Sequence, residues 1–149
     1  MARLAALVSL PALAQTSAML SVAPPQKVVA KRNSTAAARL TVNLAPGYHV
    51  NSNTPSESYL IPLRLTWTSG VLEPGDVAYP KPTMEKYEFS PKPISVFTGR
   101  FDLVTRLKAP AHAPVGPGVM LGRLRYQACN DKACFPPKTI EVKLPYQIE

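Results

Sequence analysis

The chain has two cysteines, Cys129 and Cys134, set with four residues between them in the run Arg125-Tyr-Gln-Ala-Cys-Asn-Asp-Lys-Ala-Cys-Phe-Pro-Pro-Lys138. A disulfide between them would close a small ring at the tip of a hairpin, and so short a ring stabilises a fold by only about 2 kcal/mol. A bridge that stabilises little but sits on an exposed, strained turn suits thiol–disulfide exchange, because strain and exposure make it easier to reduce. Exchange needs a thiolate, so the charges nearby matter: Lys132 lies between the sulfurs, Lys138 follows, and Asp131 opposes them. Lys132 fits a solvated turn equally well. Tyr126 and Phe135 flank the pair and would offer an apolar platform to a partner, although Tyr126 also fits as the last inward residue of a strand. Pro136 and Pro137 stiffen the exit from the ring through their fixed φ. Upstream, Glu85 and Glu88 are candidate proton acceptors near the thiols, with solvated loop charge as the plainer reading.

Other chemistries fit these residues less well. An immunoglobulin-type bridge joins strands far apart in sequence, with a core tryptophan between its cysteines. Here Trp67 lies outside the pair, so the structural alternative is a staple at a hairpin tip. Two thiolates at this spacing, with His49 and His112 elsewhere, do not make a zinc set, and a copper site using Met84 or Met120 with the thiols would draw on scattered methionines. No metal or cofactor is expected. His49, inside a strand-like run, reads as a structural histidine.

Whether the pair is oxidised depends on the compartment. Residues 1–14 carry a basic residue at Arg3, an apolar stretch from Leu4 to Leu13 and the small-x-small triplet Ala12-Leu13-Ala14, the pattern of a secretory signal cleaved before Gln15. A secreted or periplasmic location follows, in which nearby cysteines pair. Removing Arg3 takes the net charge from +8 to +7. No other apolar run approaches the ~20 residues of a spanning helix, so direct membrane insertion of the mature chain is not expected. The positive charge is spread along the chain, with Lys31-Arg32 and Arg123-x-Arg125 as its nearest approach to clusters, and no aromatic-interleaved basic patch points to nucleic acid.

The elements that must position the cysteines read as strands. Seventeen prolines against seven glycines exclude long helices. Apolar residues alternate at Ile61-Leu63-Leu65-Trp67, Leu40-Val42-Leu44, Phe101-Leu103 with Thr105, Met120 through Leu124 and Tyr126, and Ile140-Val142-Leu144. Turn signals lie between them at Ala45-Pro-Gly47, Thr68-Ser-Gly70, Glu73-Pro-Gly-Asp76 and 113–118. The pattern predicts an all-β, immunoglobulin-like antiparallel sandwich over residues 26–149, preceded by a flexible lead-in at 15–25. Tyr79 to Pro93 is a long proline-interrupted segment, and a loop of that length is often functional.

Three stretches resemble the amino-terminal periplasmic domain of the thiol:disulfide interchange protein DsbD, the disulfide bond corrector family. Gly47-Tyr48-His49-Val50-Asn51-Ser52 resembles its early strand, Glu88-Phe89 its cap segment, and Tyr126-Gln127-Ala128-Cys129 with Cys134-Phe135-Pro136-Pro137 its active-site signature. The resemblance implies a small active-site β-subdomain, with Cys134 forming mixed disulfides, Cys129 resolving them and Phe89 shielding the pair. It further implies a module, expected to be monomeric, that passes electrons from a membrane-embedded thiol reductase to thioredoxin-like proteins and other oxidised partners. The family's parent spaces its cysteines by one residue more and continues into membrane and thioredoxin-like domains, so this sequence reads as a stand-alone module or a fragment. A non-catalytic binding or adaptor sandwich with a local structural disulfide is the alternative.

Overall fold

The computed structural model describes residues 19–149; the expected signal segment lies outside the described residues. Those residues form strands and no helix, and no helix among them is long and apolar enough to cross a membrane. The first sheet holds β1 (Leu20–Val22), β3 (Ser34–Leu44), β9 (Arg100–Ala109) and β6 (Glu73–Ala78), in the order β1-β3-β9-β6. The second holds β2 (Val28–Ala30), β12 (Lys138–Ile148), β10 (Gly116–Tyr126) and β5 (Arg64–Trp67), in the order β2-β12-β10-β5, with β2 parallel to β12 and the other pairs antiparallel. Alternating side chains from both sheets interdigitate as the core. Leu40, Val42, Leu103 and Leu107 come from one side, and Leu65, Trp67, Met120, Leu124, Val142 and Leu144 from the other. The Trp67 Nε1–H donates to Thr105 Oγ1 at 2.9 Å, fastening β5 to β9 across the sandwich. This is the immunoglobulin-like arrangement that the period-2 pattern predicts.

Several elements depart from the sequence reading. Leu20–Val22, expected within a flexible lead-in, pairs with β3, and Leu20 is 1% exposed. The run from Ile61 begins its strand only at Arg64, because Pro62 has no N–H to give to a ladder. The turn expected at Glu73–Asp76 lies within edge strand β6, where a register shift between Pro74 and Val77 absorbs the Pro-Gly pair.

A third sheet, ordered β11-β4-β8-β7, sits at one end of the sandwich and comprises β11 (Ala128–Cys129), β4 (His49–Asn51), β8 (Ile94–Thr98) and β7 (Thr83–Glu85). It is assembled from extensions of both main sheets. The β3–β9 pair continues into β4–β8 through Gly47 (φ 84°) and Gly99 (φ 67°), where the left-handed backbone that glycine tolerates turns both strands at the same level. The β10–β12 pair continues into the cysteine hairpin, whose β11 joins β4. One face of this sheet, with Val50, Phe97 and Ala128, packs on the main core. The other covers a small cluster of Leu60, Ile94 and Val96.

Gly122 faces Trp67 across the β5–β10 ladder, and a Cβ placed there would lie 2.6 Å from the indole ring. The ring is held by its bond to Thr105 and cannot easily retreat. Gly122→Ala is therefore expected to lower stability by about 1–3 kcal/mol, the range for overpacking, as read from the urea midpoint.

Candidate functional site

The cysteine hairpin is closed by an Asx turn. Asn130 Oδ1 accepts from the backbone N–H groups of Lys132 (2.9 Å) and Ala133 (2.8 Å). Asn130 N–H donates to Ala133 O and Phe135 N–H to Ala128 O, both at 2.9 Å. Cys129 and Cys134 face each other between these two rungs, at the non-hydrogen-bonded position where antiparallel strands approach to about 4.5 Å. Their sulfurs are bonded, with Cα atoms 4.0 Å apart. That is just below the usual lower limit of about 4.4 Å for a bridge, in keeping with the close approach of directly paired strands at this position. Cys129 is 0% exposed, whereas Cys134 is only partly buried.

On its other side Cys129 pairs with His49 of β4. Side chains of directly paired residues share a face, so Cys134, Cys129 and His49 form a row. Asn51 and Gln127 continue that face and lock the base of the hairpin. Asn51 Nδ2–H donates to Gln127 Oε1 (3.2 Å) and to Ile61 O (3.0 Å), and Ile61 N–H donates to Gln127 Oε1 (3.3 Å).

The segment after β7 lies over the histidine end of this row. The Tyr87 ring stacks on His49 with centroids 4.0 Å apart and planes 12° from parallel. Phe89 lies beside both, 5.6 Å from Tyr87 and 6.1 Å from His49, in nearly the same plane orientation. Glu88 N–H donates to Asp131 O at 3.2 Å, tying this cap to the cysteine turn. Lys86 Nζ holds the cap's shape by donating to the carbonyls of Tyr87 and Ser90.

Burial pushes His49 down to about 4, and its Nε2 has no hydrogen-bond partner among the described residues. Asn51 Oδ1, on the same face, is likewise without one. Tyr87 is pushed above its usual value by burial and then by the Glu85 carboxylate.

Among the residues expected to form the site, Phe135 is partly buried beside Cys134, its ring 6.2 Å from that of Tyr48. Tyr126 is 1% exposed and belongs to the main core, so it cannot serve as a platform for a partner. Lys132 and Glu88 are exposed. Phe89 lies in the segment after β7, with its ring 6.1 Å from that of His49, and Tyr87 makes the closer stack on the same histidine, 4.0 Å away. The Tyr79–Pro93 segment is not the uninterrupted loop expected, because Thr83–Glu85 forms edge strand β7. Sequence reasoning passed over Tyr87, Gln127 and Asn51, and placed His49 as structural only. His49, Asn51 and Gln127 lie inside the stretches that resemble the family, which is the signal that marks them, whereas Tyr87 lies just outside the Glu88-Phe89 stretch and carries none.

The family described as thiol:disulfide interchange protein DsbD, N-terminal, matches residues 17–145. The chain belongs to this family. No curated protein matches it. Among solved structures, the N-terminal periplasmic domain of ScsB from Proteus mirabilis shares the fold with a TM-score of 0.60 at 16% identity, covering 92% of this chain. The chain spans 49% of that structure's length. A family 123 glycoside hydrolase from Clostridium perfringens overlaps at a TM-score of 0.33 and 13% identity, over 83% of this chain and 22% of its own, too loosely to carry an argument. Membership of the DsbD amino-terminal family accounts for the third sheet as the small subdomain that carries the cysteines.

The histidine gives the oxidised protein a testable acid sensitivity. An unfolded chain takes up the His49 proton near pH 6.5, while the folded chain refuses it until about pH 4. The unfolded state therefore binds more protons in this window, and stability falls as pH drops through it, by up to about 3 kcal/mol. His49→Phe, which keeps a ring on Tyr87, is expected to remove this loss, measured as the change in urea midpoint between about pH 7 and pH 4.5.

Proposed function

We propose that the chain is a periplasmic thiol–disulfide exchange module that takes electrons from a membrane-embedded thiol reductase and hands them to thioredoxin-like and other oxidised partner proteins. The observation that carries this reading is the asymmetry of the bridge: Cys134 reaches the surface while Cys129 is wholly buried. An incoming thiolate would thus meet Cys134 Sγ, form the new S–S bond there and release Cys129. In the other direction, the Cys134 thiolate attacks a partner's disulfide, and Cys129 resolves the mixed disulfide by displacing the partner's sulfur. Phe135, which follows Cys134 in the chain, and Tyr48, whose ring lies 6.2 Å from that of Phe135, supply an aromatic surface against which a partner can dock.

Cys129→Ser is expected to accumulate a mixed disulfide through Cys134 with an oxidised thioredoxin-like protein, visible on a non-reducing gel, while Cys134→Ser accumulates none. The opposite pattern would exchange the two roles, and no adduct with either variant would remove the exchange reading.

The cap supports the same reading, because reduced thiols in an oxidising compartment need protection and a segment hydrogen-bonded to the cysteine turn can shield them and swing aside. Phe89→Ala and Tyr87→Ala are each expected to speed alkylation of the reduced protein severalfold with little change in urea midpoint. Unchanged alkylation rates in both would show that the cap shields nothing.

A further inference from the structure

Opening the bridge leaves Cys129 with a requirement that only one of its neighbours meets. When a thiolate attacks Cys134 Sγ, the bond to Cys129 breaks and its electron pair leaves on Cys129 Sγ. That residue is 0% exposed, and a bare thiolate in such surroundings is unfavourable unless it gains a proton or a positive neighbour. Four titratable side chains face this place: His49 across the ladder, Tyr87 stacked on it, Glu85 near Tyr87, and Asp131 on the turn beneath the cap. Asp131 and Glu85 are exposed carboxylates and would oppose a thiolate. Tyr87 holds its proton more firmly than usual.

His49 differs from all three. It can become a cation, its Nε2 has no other partner, and the face of Tyr87 lies parallel to it at 4.0 Å, the placement that stabilises an imidazolium through the ring's negative face. A surface pocket of about 570 Å³, lined in part by Tyr48, His49, Tyr87 and Asp131, gives a proton a short route from solvent.

We propose that His49 is the proton acceptor that pairs with Cys129 when the disulfide opens, taking a proton from solvent so that the buried sulfur is released as a thiolate beside an imidazolium. On reoxidation the Cys129 thiolate attacks Cys134 Sγ in the mixed disulfide, the partner leaves as its thiolate, and the imidazolium returns its proton to solvent. In the bridged state there is no charge to balance, and His49 stays neutral between the sheet and Tyr87. The proposal deepens the exchange reading and rests on it.

The test follows the imidazole resonances of both histidines by NMR across pH, in the oxidised protein and after reduction by dithiothreitol. The His49 midpoint is expected to rise by about 3 pH units on reduction, from about 4 to near neutrality, the upper end of the effect of an adjacent opposite charge. His112, exposed on the connection between β9 and β10, serves as the internal control. Equal His49 midpoints in the two states would overturn the proposal.

A second measurement reads the sulfur. In Cys134→Ser, the Cys129 thiolate absorbance should titrate at lower pH with His49 present than in the double variant carrying His49→Phe, and identical titrations would also overturn it. Neither experiment uses a protein partner, so the histidine proposal and the exchange reading can fail independently.

Discussion

Cys129 is held between two cross-strand neighbours, Cys134 on one side and His49 on the other, and the rest of the site follows from that placement. A residue in the middle of a three-strand row has its Cα and Cβ directions fixed by the ladders on both sides, leaving the sulfur little freedom. The two main sheets converge to create the row: the β3–β9 ribbon turns at Gly47 and Gly99 to deliver His49, and the β10–β12 ribbon delivers the cysteine hairpin. The Asn51–Gln127–Ile61 bonds then pin the hairpin's base, and the Asx turn at Asn130 fixes its tip.

The bridge adds little to the stability of the fold. Its contribution of about 2 kcal/mol is what one buried leucine supplies, about 1.5–3 kcal/mol. The main core contains many such residues, among them Leu40, Leu103, Leu107, Leu124 and Leu144. The fold therefore does not depend on the disulfide. The hairpin's backbone rungs at Asn130–Ala133 and Phe135–Ala128 do not involve the sulfurs, so the strands that position the bond have a pairing of their own.

The long strands were legible in the sequence because each is buried on one face, as at Leu40-Val42-Leu44 and Ile140-Val142-Leu144, where inward and outward residues alternate. The site sheet was not, because it is covered on both faces. His49, Val50 and Asn51 are all buried, as are Ile94 through Phe97, and strands enclosed on both sides lose the alternation that marks a half-buried strand. Short length hid β7 and β11 as well. The cysteine motif identified the reactive pair, yet nothing in a linear pattern tells that residue 49 pairs with residue 129, or that Tyr87 stacks on that pair's histidine. Those contacts are set by register between strands distant in the chain.

A bridge that serves exchange and not stability must be readily reduced. Its equilibrium reduction potential, measured by titrating the purified protein against a dithiothreitol redox buffer, tests that most directly. For an exchange bridge the expected value is clearly above about −300 mV, the upper bound typical of structural disulfides. A value below that bound would mark the hairpin as a staple and contradict the account.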